Sequence, residues 1–227
     1  MADDRSPARD AAAAAAAELV QPRSTIGLGS GRAVWRTLEL IAERALEELS
    51  VVVASELTRT HALDAGIEVV ELDGSVELDI AIDGADELDP KLRLVKGGGG
   101  ALLREKIVVA AARRFVVVAE TSKRVDRLGE GFRLPVEVVR FAWADTQRRL
   151  AGLLPDAELR EDDDGEPYVT DEGHLILDCA IPPDADLDGL GPALHAVPGV
   201  VEHGLFIGMA ERALLGTPEG QLEVLEA

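Results

Sequence analysis

The residues most able to do chemistry lie between positions 83 and 123. Lys96 is followed by Gly97, Gly98, Gly99 and Gly100, and this run leads straight into a helical segment. Four glycines carry a heavy entropic cost, so a mere linker is a poor account of them at a strand–helix junction. Backbone N–H groups, a helix N-terminus and a fixed cation together suit an anion or a developing oxyanion. Within that helix, the neighbours of Glu105 at minus four, plus three and plus seven are Ala101, Val108 and Ala112. A carboxylate on such a stripe is partly desolvated, which raises its pKa toward the range of a general base. An ion pair with Arg104 or Lys106, or simple exposure, is the competing reading.

Three further stretches join these. Asp83-Gly84-Ala85-Asp86-Glu87-Leu88-Asp89-Pro90 follows the apolar LDIAI, at the strand end where open α/β sheets place ligands. A solvated acidic turn is its alternative. Gly27-Leu28-Gly29-Ser30-Gly31-Arg32 lies between a strand and a helix and reads as a sugar-phosphate or similar anion site, against a bland tight turn. As a dinucleotide fingerprint it fails, because Arg32 stands where glycine or alanine is needed and the later ribose-binding acid is missing. Ser122-Lys123 follows FVVVAE at another strand end, as a ligand contact or a helix cap with a surface lysine. His61, His174, His195 and His203 show no ligand spacing with one another or with Cys179, so zinc is not expected. Carboxylates, lysines and glycine loops without metal, redox or nucleophile-elbow signatures suit cofactor-free proton transfer on a phosphorylated small molecule.

The elements that must position these groups alternate. An alanine-rich helix precedes Pro22. STIGL, SVVVAS, IEVVEL, LDIAID, KLRLV and RFVVVAE read as strands, and the segments Arg32 to Leu49, THALDAG and ALLREKIVVAAARR as helices. That alternation predicts an α/β fold, a Rossmann-like, mostly parallel sheet with helices on both faces. Near Leu134 the pattern changes to strand PVEVVRF, helix ADTQRRLAGLL, strand AELRE, strand HLILDCAI, helix DLDGLGPALHAV and strand VVEHGLF. With AELRE and YVT taken as one strand interrupted by the turn DDDGEP, this is the β-α-β-β-α-β order of a smaller ferredoxin-like α+β domain. The tail adds a final strand to the first sheet. The expected domains are 1–133 with 207–227, and 134–206.

Composition bounds the partners. The formal net charge is −20, from 43 acidic and 23 basic residues, roughly one net negative charge per 500 Å² of a folded monomer's surface. Such a surface disfavours nucleic acid. Only Lys91, Lys96, Lys106 and Lys123 are lysines, a habit of proteins from salty cytoplasm. Cys179 alone excludes an intramolecular disulfide. No apolar stretch reaches membrane-spanning length, and the N-terminus lacks signal-peptide order. The expected location is the cytoplasm.

IGLGSGRAV, IDGADELDP, KGGGGALLREKIVVAA, VAETSKRVDRLG, LPVEVV and GLFIGMAERALLGTPEG together resemble ribose-5-phosphate isomerases of the A type, over nearly the whole chain. The resemblance implies interconversion of ribose 5-phosphate and ribulose 5-phosphate through a cis-enediol(ate), with no obligatory cofactor or metal, in a homodimer or homotetramer. It implies that Glu105 moves the proton, that Asp83 and Lys96 serve the hydroxyl protons and the oxyanion, and that Asp86 aids ring opening or sugar binding. Ser30, Gly31, Arg32, Ala33, Gly84, Ala85, Gly97, Gly98, Gly99 and Lys123 would hold the substrate. One departure stands out: the usual first loop reads GTGST, and Ser30-Gly31-Arg32-Ala33 replaces its last four residues. Two hydroxyls are lost, and Arg32 is expected to grip phosphate by charge. An amino-sugar-phosphate isomerase/deaminase, a coenzyme A transferase and a sugar-phosphate-sensing binding module are the rival readings.

Overall fold

The computed structural model describes residues 6–226. Its largest sheet has seven strands. They are β1 (Thr25–Leu28), β2 (Ser50–Val53), β3 (Glu68–Val69), β4 (Ile80–Asp83), β7 (Phe115–Glu120), β13 (Arg212–Gly216) and β14 (Leu222–Glu226), in the spatial order β14-β13-β7-β4-β1-β2-β3. Every pairing is parallel except that of β14 with β13. β7 is buried from Phe115 to Ala119, as a parallel strand covered on both faces must be.

One face packs α1 (Pro7–Glu18), α2 (Arg32–Glu43) and α3 (Glu56–Asp64) through Ala12, Ala16, Val34, Leu38, Ile41 and Ala62. The other packs α4 (Leu102–Ala111) through Val108 and Val109. α1 starts at Ser6, whose side chain accepts the Arg9 N–H, with Pro7 in the first turn. The expected helix from Arg32 to Leu49 stops early, at Glu43. Ala45 and Glu48 take positive φ. Of the apolar spacing Val34, Leu38, Ile41, Ala45 and Leu49 that suggested one helix, the resulting turn keeps Leu49 against the core, adds Leu46 and leaves Ala45 exposed. The tail holds two strands, not one.

A second sheet, in the order β11-β8-β10-β9, is antiparallel throughout. It comprises β8 (Leu134–Val138), β9 (Glu158–Leu159), β10 (Leu175–Cys179) and β11 (Val200–His203), with α5 (Trp143–Leu150) and α6 (Leu187–His195) between them. This is the ferredoxin-like arrangement, with Cys179 buried in its core. YVT does not continue β9. The chain turns back through Asp162, whose carboxylate accepts the N–H groups of Asp164 and Glu166, and returns antiparallel, with the Tyr168 N–H donating to the Arg160 carbonyl at 2.9 Å. A third, three-stranded sheet joins β5 (Glu87–Leu88), β6 (Leu94–Val95) and β12 (Leu205–Phe206). β12 takes the end of the expected strand VVEHGLF, separated from β11 by Gly204. Among the described residues, no helix is long and apolar enough to cross a membrane.

Candidate active site

β1 leads to β2 on one side of the large sheet, while β4 lies on its other side. Chains leaving the carboxyl ends of β1 and β4 therefore diverge and open a crevice, the place where open α/β sheets hold ligands. The loop of Ser30 to Ala33 leaves β1, and Asp83 closes β4. Gly29 permits this closeness, since a Cβ there would fall 1.8 Å from the Asp83 carboxyl carbon. Lys123 arrives in the short helical turn Thr121–Lys123 after β7. From the opposite face, the loop Lys96–Gly100 and the first turns of α4 bring Lys96 and Glu105.

Lys96 is the hub. Its Nζ lies 2.9 Å from Asp83 Oδ2 and 3.2 Å from Glu105 Oε2, and it donates to the Gly84 carbonyl at 2.8 Å. All three side chains are almost wholly buried. Asp83 Oδ2 and Glu105 Oε2 meet the ammonium at ion-pair distance but off the line of an aligned hydrogen bond. Asp83 Oδ1 accepts the N–H groups of Ser30 at 3.3 Å and Gly84 at 2.7 Å.

Burial dominates the protonation of these groups. It pushes Glu105 up to about 8, helped by the neighbouring Asp83 charge and opposed by Lys96. Burial also raises Asp83, against the pull of Lys96 and of the two N–H donors. For Lys96 burial acts downward, but the two carboxylates outweigh it and hold the ammonium above its ordinary range. The result is a permanent cation beside a carboxyl that titrates near neutrality.

A cleft of about 350 Å³ opens over this triad. Ser30, Gly31, Arg32, Ala33, Gly84, Ala85, Asp86, Lys96, Gly97, Gly98, Gly99, Glu105 and Lys123 all line it. Among the residues singled out from sequence, Asp83 sits behind Lys96 instead of facing the cleft, and Ser122 is exposed outside it. Asp86 takes the Gly98 N–H at 2.7 Å, and the Ser30 hydroxyl accepts from Ser55 at 3.0 Å. Sequence reasoning missed Arg9, which reaches the cleft from α1 and pairs with Glu120 at 3.4 Å. Its signal was a long cation at the start of an otherwise alanine-rich helix. An adjoining cavity of about 540 Å³ shares Arg9, Arg32 and Trp35 but none of the buried carboxylates.

Spacing along the chain also overlooked a cluster. Because β11 follows α6 and packs beside it, ligand-type atoms of His195, Glu202 and His203 come within 4.8 Å of one another. Their partners do not suit a metal. Glu202 Oε1 already carries the Lys106 ammonium at 2.7 Å, and His203 Nδ1 accepts the Leu205 N–H at 3.2 Å. Burial, with the Lys106 charge, lowers His203 to about 3, so it stays neutral inside an ion-pair network.

Residues 50–220 match the family described as Ribose 5-phosphate isomerase A (phosphoriboisomerase A). The chain belongs to the ribose 5-phosphate isomerase A family. Over 220 residues it is 50% identical to the ribose-5-phosphate isomerase A of Roseiflexus castenholzii, covering 95% of this chain and 94% of that one. Identity to the Synechococcus sp. protein of the same name is 46%, with 93% and 94% covered. Among solved structures, the ribose 5-phosphate isomerase A of Methanocaldococcus jannaschii superposes with a TM-score of 0.90 at 34% identity, covering 96% of this chain and 98% of that one. A D-ribose-5-phosphate isomerase in complex with phospho-erythronic acid gives 0.91 at 32%, with 96% and 97% covered. The fold expected of a ribose 5-phosphate isomerase A, a mostly parallel sheet joined to a ferredoxin-like one, is the fold found.

Proposed function

We propose that the chain interconverts D-ribose 5-phosphate and D-ribulose 5-phosphate, with Glu105 as the base that carries the proton between carbon 1 and carbon 2. The observation that carries this reading is the buried Glu105 carboxyl at 3.2 Å from Lys96, both facing one cleft. Removing a proton beside a carbonyl needs a base poised near neutral pH and a charge to meet the enediolate oxygens. Glu105 is the first, and Lys96, held in place by Asp83, is the second. That positive charge comes from the protein, so the step as proposed needs no metal or cofactor. Asp86 serves the sugar hydroxyls or ring opening, and the backbone at Gly84, Ala85, Gly97, Gly98 and Gly99 lies along the sugar. Ser30, Gly31, Ala33 and the cations Arg32, Lys123 and Arg9 take the phosphate end. A relative solved with phospho-erythronic acid supports the reading, because a sugar-acid carboxylate is flat and anionic like an enediolate.

The same reading includes domains at 1–133 with 207–227 and at 134–206, supported by the change of sheet at Leu134. It also includes a homodimer or homotetramer in a cytoplasm, with an acidic surface adapted to salt and partners limited to small sugar phosphates. The test is turnover of ribose 5-phosphate in EDTA. Glu105→Gln is expected to lower kcat by about 10²–10⁴-fold. Full activity in the variant, or none in the parent protein, would overturn the assignment.

A further inference from the structure

Three successive carbonyls of the glycine loop are held from the side of the four-stranded sheet. Arg160 Nη1 donates to Gly97 O at 2.8 Å and to Gly98 O at 3.2 Å, and the Tyr168 hydroxyl donates to Gly99 O at 3.1 Å. Arg160, one residue beyond β9, is itself locked. Its Nε and Nη2 fork onto Asp178 of β10 at 2.8 and 2.5 Å, and its guanidinium stands 5.9 Å from the centre of the Tyr168 ring. Neither Arg160 nor Asp178 lines the cleft.

A trans peptide points its carbonyl and the following N–H in opposite directions. Holding Gly97 O therefore turns the Gly98 N–H away from Arg160, where it meets Asp86 Oδ2 at 2.7 Å. Holding Gly98 O turns the Gly99 N–H the same way, and no described residue accepts a hydrogen bond from it. The Gly97 carbonyl also closes a turn by accepting the Gly100 N–H at 3.0 Å, but glycine peptides rotate at little steric cost, so the Gly98–Gly99 plane rests on the Arg160 grip. We propose that Arg160, locked by Asp178, is a positioning residue that sets the peptide planes of the glycine loop, so that the Gly99 N–H meets the charge developing on the sugar. This rests on the isomerase reading above.

The experiment compares the full chain with Arg160→Ala and, as the milder change, Asp178→Asn. Loss of one preorganised donor is expected to lower kcat by about tenfold or more in Arg160→Ala, while KM for ribose 5-phosphate stays within about threefold. Phospho-erythronic acid should bind about tenfold more weakly, while inhibition by inorganic phosphate is unchanged, because only the sugar acid meets the loop. Asp178→Asn should move both in the same direction by less. Equal weakening of both ligands, or unchanged kcat in both variants, would overturn the proposal. Hydrogen exchange at residues 97–101, measured without substrate, separates this from failure of the isomerase reading. Faster exchange in Arg160→Ala, with the large sheet unaltered, is required whether or not ribose 5-phosphate is turned over.

Discussion

Glu105 holds its proton into the neutral range because burial, and then the charge of Asp83, act against ionisation. A base must be ionised to work, so kcat/KM should rise with pH and level off above about 8, with the value at pH 7 about a tenth of the plateau. A flat profile from about pH 6 to about pH 9 would remove Glu105 from the role of base. Stability carries the same signature with the opposite sense. Between 4.5, its ordinary value, and about 8, the folded state keeps a proton that the unfolded chain has lost. Glu105 therefore withdraws stability as pH rises through that window. The melting temperature of Glu105→Gln relative to the parent should move upward from pH 5 to pH 8, and a constant difference would contradict the burial argument.

At the scale of elements, α1 matters more to the site than an alanine run suggests. Ala12, Ala13, Ala16 and Ala17 are buried, which lets the helix lie close to the sheet and carry Arg9 to the cleft. The closest approach is at Gly216 of β13, where a Cβ would fall 1.7 Å from the Ala8 carbonyl oxygen. Backbone cannot swing aside as a side chain can, so Gly216→Ala should lift α1. We expect a cost of roughly 1–3 kcal/mol in denaturant unfolding and a raised KM, since Arg9 moves with the helix. Unchanged values of both would show that α1 does not position Arg9. Periodicity located most of these elements, because apolar spacing records which face is buried. It misjudged the end of α2, where a turn with positive φ keeps Leu49 against the core but exposes Ala45. It also read YVT as continuing AELRE where the chain folds back on itself, with the Tyr168 N–H on the Arg160 carbonyl.

For the whole molecule, the excess of 20 negative charges is the dominant feature. Isolated surface ion pairs contribute little, whereas self-repulsion of an unbalanced surface is shared by every carboxylate. Raising KCl from about 0.1 M to about 1 M shortens the Debye length from about 10 Å to about 3 Å. The melting temperature should rise by several degrees over that range, and a flat or falling response would refute the salt-adapted reading. Light scattering coupled to size-exclusion chromatography should give a dimer or a tetramer; a monomer would refute that expectation.

The sequence by itself determined the fold class and the strand-end loops, and its resemblance to a known family implied that Lys96, Asp86 and Glu105 serve one site. Hydrophobic period and glycine placement are local records of burial and turning, so they survive in one dimension. Only the tertiary structure decided that Asp83 stands behind Lys96, that Arg9 enters the site, and that His195, Glu202 and His203 meet. The grip of Arg160 on the glycine loop belongs to the same class. Each joins segments far apart in the chain, and such contacts depend on how two sheets and their helices pack, which no local spacing encodes.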